Sequence, residues 1–363
     1  MRNATLVYRN GTKEVGHKRK TLISVLTGAT TSKDIYNQLR KIDAINELDV
    51  SERPDIISDL SVEQSKASIY KYIIANYPDY VVATLPIYQC RQNSGIVDDG
   101  ELLSIIQEQI ACGVGVITIH PTSNLYIMRL SNTRLVPSTS RGGTLVMNDL
   151  VKRNFAVENV YVRILDEIVK AAKIGRTTIS IGASFRSANI FDSLDQCQLE
   201  EFKLQKEIAD YISNRGVDVI IEGPGHSSPR TLKRIAEYYR AMEYPIMPLG
   251  PIPTDIAIGQ DHISSAIGST ILGMENCVDI IAAVTREEHT GKIPSVESSI
   301  EAIRASKIAA HIIDLHKLGD YSSDRIVAEY RAVNQTCIYG KMNSGCSRCA
   351  HTCPLTSENF ELA

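Results

Sequence analysis

Three cysteines near the end of the chain, Cys346, Cys349 and Cys353, form a C-x2-C-x3-C run followed by Pro354. Three thiolates this close can hold three irons of a 4Fe–4S cluster and leave the fourth open to a cofactor's amino and carboxylate groups. Zinc is the competing occupant, with His351 or Cys337 completing a tetrahedron. The remaining thiols, Cys90, Cys112, Cys197, Cys277 and Cys337, are scattered and read as core or surface residues.

A second group of reactive side chains punctuates the ends of apolar runs. Glu222-Gly-Pro-Gly-His226 follows Val219-Ile220-Ile221 and sets a carboxylate beside an imidazole. His289 sits in Thr285-Arg-Glu-Glu-His289 after another such run. Neutral imidazoles from neighbouring strand ends can share one divalent ion, although either could equally be a hydrogen-bonded rim residue. Tyr88, His120 and Arg186 stand at three further run ends, and an arginine fork suits a phosphate. Ser140-Arg141-Gly142-Gly143 lies in a long excursion between two runs, where its glycines allow close approach to a ligand or simply form a turn. Asp255 and Asp261-His262 make one more polar cluster among glycines and prolines.

Elements must hold these residues together. Runs rich in Val, Ile and Thr alternate with helical periodicity, which predicts parallel strands with crossover helices. The expected strands are Thr21–Val25, Asp55–Leu60, Val81–Tyr88, Val114–His120, Thr177–Gly182, Val217–Glu222, Ile246–Gly250 and Ile280–Thr285. Eight runs ending in polar residues predict an α/β fold, a (β/α)8 barrel with its chemistry on one face; a doubly wound sheet is the alternative. A long amphipathic helix is expected over Ser295 to Lys317. The expected organisation is an N-terminal extension over 1–20, a barrel over 21–318, and a C-terminal helical segment with a cluster-binding tail over 319–363.

Composition narrows the function. The 363 residues are 43% hydrophobic and 22% charged, an ordinary globular balance, with a formal net charge of -3. That charge argues against nucleic acid as the main partner and for a small molecule. Charged residues interrupt the first 25 positions, which excludes a secretory signal there, and no apolar run reaches the roughly 18 to 20 residues that span a bilayer. A cytoplasmic protein with metal-binding rather than disulfide-bonded cysteines is expected.

The motifs, taken in order, resemble the ThiC family of phosphomethylpyrimidine and 5-hydroxybenzimidazole synthases. They include Asp59-Leu-Ser61, Pro86-Ile-Tyr88-Gln89, Ser140-Arg-Gly-Gly143, Glu222-Gly-Pro-Gly-His226, Asp261-His-Ile-Ser264 and Lys307-Ile-Ala-Ala-His311. The resemblance implies a homodimeric radical S-adenosylmethionine enzyme of thiamine biosynthesis, supplied by an electron donor such as flavodoxin or ferredoxin. By position, Cys346, Cys349 and Cys353 would hold the 4Fe–4S cluster, and His226 and His289 a divalent metal, zinc or iron, near S-adenosylmethionine. Tyr88, His120, Ser140, Arg141, Gly142, Arg186 and Glu222 would line a site for a nucleotide such as aminoimidazole ribotide.

Departures from that pattern fall at the substrate. The family's Asn-Ala-Asn-Ile-Gly reads Val25-Leu26-Thr27-Gly28, its Asp-Gly-Leu-Arg-Pro-Gly reads Ala183-Ser-Phe-Arg186-Ser-Ala188, and a tyrosine is replaced by Met247. The cysteine spacing is one residue shorter than C-x2-C-x4-C, and the family's N-terminal region is largely absent. Two other expectations therefore stand beside the catalytic one: a non-catalytic paralogue that binds nucleotide or metal, and a zinc hydrolase using His226 and His289.

Overall fold

The computed structural model describes residues 2–91, 95–340, 348, 349 and 353–355. It opens on an antiparallel hairpin, β1 (Asn3–Tyr8) and β2 (Gly11–Gly16), where the sequence suggested only an extension. Tyr8 pairs with Gly11, so the turn between the two strands is the two residues Arg9-Asn10.

Eight short strands follow: β3 (Leu22–Thr27), β4 (Ile56–Asp59), β5 (Val81–Thr84), β6 (Val116–Ile119), β7 (Thr178–Ile181), β8 (Val219–Gly223), β9 (Ile246–Pro248) and β10 (Ile280–Ala283). Every ladder is parallel, in the order β10-β3-β4-β5-β6-β7-β8-β9. Both faces of most strands are buried, as expected of strands enclosed by helices. Asp279 spans the remaining seam: its N–H donates to the Ile246 carbonyl at 2.9 Å and its Oδ2 accepts from the Ile246 N–H at 2.9 Å. The nearly closed (β/α)8 barrel replaces the doubly wound alternative.

The helices are α1 (Ile35–Asn46), α2 (Ile69–Asn76), α3 (Asp99–Ala111), α4 (Leu125–Ser131), α5 (Arg141–Lys152), α6 (Val160–Arg163), α7 (Leu165–Gly175), α8 (Gln196–Ser213), α9 (Pro229–Met242), α10 (Asp261–Gly273), α11 (Val296–Leu318) and α12 (Ser322–Val333). Capping side chains fix several starts: Asp98, Asn124, Ser140, Asp195 and Ser228 each accept a first-turn N–H. Each such cap contributes about 1 kcal/mol.

Two expectations change. The run Val81–Tyr88 is not one strand: β5 stops at Thr84, and Pro86, which has no N–H to donate, starts a 3-10 turn ending at Tyr88. The excursion between β6 and β7 is not a loop but holds α4 to α7, and Ser140 is the N-cap of α5.

The barrel interior is filled from below. Leu22, Ile56, Val81, Ala83, Val116, Ile220 and Ile280 make one buried cluster with Ala4, Leu6 and Val15 of the hairpin. A larger core lies between strands and helices, with Ile57, Ile117, Ile179 and Ile281 facing outward into it. The chain divides into two compact units, Met1–Ile313 and Asp314–Ala363. The second contains α12, and Tyr330 meets Tyr339 edge to face at 5.0 Å. Among the described residues no helix is long and apolar enough to cross a membrane.

Candidate active site

A cavity of about 350 Å³ opens at the carboxyl ends of the barrel strands. Its floor is formed by Ile56, Val116, Ile220 and Ile280, the same side chains that meet the hairpin from the other side. Tyr88, His120, Ser140, Arg141, Arg186, Glu222, His226 and His289 all line it, although they come from positions up to 201 residues apart (289 minus 88). Gly142 stands behind the wall: a Cβ there would lie 2.4 Å from the His120 ring, so glycine serves packing. Gly182 meets the same ring from the other side, where a Cβ would lie 2.7 Å away.

His120 is thus held in a tight sleeve. Burial drives its pKa from 6.5 down to about 3, with the Arg186 charge acting in the same direction, and its Nδ1 has no hydrogen-bond partner among the described residues. The folded ring stays neutral while the unfolded ring protonates below about 6.5, so stability is intact above that value and falls as acid is added. Between pH 6.5 and 5 the native protein should lose about 2 kcal/mol more than His120→Asn does. Parallel urea titrations at the two pH values check this, and equal losses would remove the argument.

Glu222 faces the cavity from β8. Burial raises its carboxyl above the usual range, while the Arg186 charge and the Ala183 N–H, at 3.4 Å, oppose the rise. Arg186 donates to the Ala183 carbonyl at 3.2 Å, so its loop folds back under the guanidinium. That loop is braced from behind. Glu201 accepts from the Phe185 N–H at 3.0 Å and the Thr122 hydroxyl at 2.8 Å, and Arg134 donates to the Phe185 carbonyl at 2.6 Å. Arg141 lies over the Tyr88 ring, 4.1 Å from its centroid, and donates to the Leu60 carbonyl at 3.3 Å. The Arg186 guanidinium thus lies just past β7, and that of Arg141, from the first turn of α5, lies past the ends of β4 and β5.

The histidine pair has the most specific geometry. Nε2 of His226 lies 3.2 Å from Nε2 of His289. Behind them, Nδ1 of His226 contacts Asp255 Oδ1 at 2.6 Å and Nδ1 of His289 contacts Asp261 Oδ1 at 2.7 Å. A carboxylate fixes the proton on each Nδ1. That leaves the two Nε2 atoms, 3.2 Å apart, as the ring positions that can share a proton or a cation. Tetrahedral zinc, with bonds of about 2.0–2.1 Å, separates two nitrogens by about 3.3 Å, so the pair fits a divalent ion. Among the described residues no third His, Cys, Asp or Glu joins them in a metal-ligating cluster.

The sequence grouped Asp255 with Asp261 but gave neither a role, because each pairs with a histidine 29 or 28 positions away. Asp261→Asn should weaken zinc binding by about 10–100-fold, the usual effect of removing a carboxylate behind a ligating imidazole. Competition with a chromophoric chelator reads it, and unchanged affinity would remove the metal from the pair. Of the expected cluster ligands, Cys346 lies outside the described residues, and Cys349 and Cys353 are half-buried in the second compact unit.

The sequence model of the radical SAM ThiC family matches residues 2–344. The chain belongs to this family. Among relatives of the ThiC chain, a phosphomethylpyrimidine synthase of Archaeoglobus fulgidus is 34% identical over 275 residues, 73% of this chain and 63% of that protein. One from Alkaliphilus oremlandii is 32% identical over 311 residues, 84% of this chain and 69% of its own length. A third, from Pyrobaculum aerophilum, is 28% identical with coverages of 94% and 84%. The ThiC chain described here thus spans somewhat less than two thirds of the Archaeoglobus protein it matches. Membership of a radical SAM family implies a 4Fe–4S cluster and S-adenosylmethionine.

Proposed function

We propose that this chain is a radical S-adenosylmethionine enzyme that rearranges a small phosphorylated imidazole, aminoimidazole ribotide or a relative of it, at the mouth of the barrel. The observation that carries the reading is the 3.2 Å approach of two carboxylate-backed imidazoles beside a cavity that also presents Glu222, His120 and Arg186. A sensor that had lost its chemistry would not need to keep that set together. A zinc-stapled hydrolase would account for the imidazoles and the C-x2-C-x3-C run but not for the ordered ThiC motifs.

In this reading Cys346, Cys349 and Cys353 hold the cluster, their soft thiolate set suiting iron and leaving one coordination position open. When bound, the cluster supplies the electron that cleaves S-adenosylmethionine to a carbon radical. The chain's own residues do the positioning. Arg186, Arg141 and the first turn of α5 receive the phosphate. His120, neutral at physiological pH, offers its ring to the heterocycle. Glu222, lining the same cavity, would hold or accept a proton. The aliphatic walls exclude water from a reactive intermediate. His226 and His289 would hold a divalent ion, zinc or iron, where the sulfonium cofactor is expected to bind. A homodimer in the cytoplasm, fed by flavodoxin or ferredoxin, completes the proposal; resemblance alone supports these partners.

Anaerobic reconstitution with iron and sulfide, then incubation with dithionite and S-adenosylmethionine, tests the reading. Formation of 5′-deoxyadenosine is the expected result. A reconstituted protein that holds four irons and sulfides and yet forms none would overturn it.

A further inference from the structure

One loop serves both ends of the cavity. It joins β7 to α8 over residues 182–195 and carries Arg186 to the cavity wall. One position on, Ser187 donates its hydroxyl to the His226 carbonyl and accepts the His226 N–H on its own carbonyl at 3.0 Å. Ile190 then donates its N–H to Asp255 Oδ2 at 3.0 Å, the carboxylate whose other oxygen contacts the His226 ring. The Arg186 stem lies on the turn that carries His226: a Cβ on Gly225 would come within 3.4 Å of its Cγ and 2.4 Å of the Ser187 carbonyl oxygen. Residues 186–190 therefore set both the guanidinium and one half of the histidine pair.

Their footing is the residue before them. Phe185 is wholly buried, and both polar groups of its backbone are held. Its N–H donates to Oε1 and Oε2 of Glu201, each at 3.0 Å, and its carbonyl accepts from Arg134 at 2.6 Å. Glu201, on the second turn of α8, also accepts from the Thr122 hydroxyl at 2.8 Å, and Arg134 is fixed in turn by Asp195 at 2.7 and 2.8 Å. Glu201 is only 1% exposed, and burial raises its carboxyl to about 7. An apolar side chain would fill the place without desolvating a carboxylate, but only an acceptor can fix the Phe185 N–H. Resting on the reading above that Arg186 meets a phosphate and the histidine pair a divalent ion, we propose that Glu201 is a positioning residue for both. By pinning Phe185 it aligns Arg186 and the His226–Asp255 pair through one loop, so the two ends of the site share a single support.

Two titrations of the full-length protein test this: zinc affinity by competition with a chromophoric chelator, and ribose 5-phosphate affinity of the metal-free protein by calorimetry. Glu201→Ala should weaken both by about tenfold, the lower end of what loss of a supporting partner does to a ligating site. Glu201→Gln is nearly isosteric but turns an amide N–H2 toward the Phe185 N–H, so it should weaken both by about threefold; it carries the comparison if the alanine variant does not fold. Ile212→Ala removes a core side chain about three turns further along α8. It should lower the thermal midpoint and leave both affinities parental, which separates alignment from stability. Parental affinity for either probe in a folded Glu201→Ala protein, or an equal loss of both in Ile212→Ala, overturns the proposal. A parent protein that binds neither probe would instead sink the reading of the site, and this proposal with it. Formation of 5′-deoxyadenosine is scored separately, so a shared loss of both affinities without that product leaves Glu201 in its role and removes only the radical chemistry.

Discussion

Cys349→Ser is expected to reduce 5′-deoxyadenosine formation to that of the protein-free reaction while the barrel stays folded. A serine oxygen is a harder, poorer ligand for iron than a thiolate, and a claw of three has no spare member. Cys349 is not a member of the buried core clusters, so the change removes no core side chain. Circular dichroism and the thermal midpoint should therefore match the parent, while the brown absorbance of the reconstituted protein falls. Undiminished turnover in the variant would mean that this cysteine does not hold the cluster, and the same experiment on Cys346→Ser and Cys353→Ser would then locate the true ligands.

Removing an imidazole outright should exceed the effect of removing its carboxylate. In His226→Ala, half of the pair disappears and Asp255 loses its 2.6 Å partner. Zinc affinity should drop by more than the roughly 100-fold ceiling expected for an outer carboxylate. Dialysed protein should then lose its metal, which elemental analysis reads without any assay of turnover. Cobalt substitution adds a spectroscopic readout: the visible bands of a tetrahedral ion should vanish from the variant. Retention of one ion per chain after dialysis would show that His226 and His289 simply share a proton.

The barrel strands were legible because each is a short Val- and Ile-rich run, and residues such as Ile57 and Ile117 must be apolar on the helix side while Leu22 and Val116 must be apolar within. The overreach at Val81–Tyr88 has a plain cause: apolar character continues past Thr84, but hydrogen-bonding capacity ends at Pro86. The hairpin was hidden by its charged residues Arg9, Lys13 and Glu14, since only Ala4, Leu6 and Val15 join the buried cluster and Lys13 instead reaches Asp55 at 2.9 Å. The residues expected at strand ends line one cavity because barrel topology brings those ends together. Their pairing was not legible, since the Asp255–His226 and Asp261–His289 contacts depend on how two loops cross in space.

The hairpin beneath the barrel has a kinetic corollary. With Leu6 and Val15 stoppering the lower end, the chamber is a cul-de-sac, so entering and departing molecules must share one doorway. Whatever docks deepest has to arrive first and exit last, and a later arrival acts as the cork.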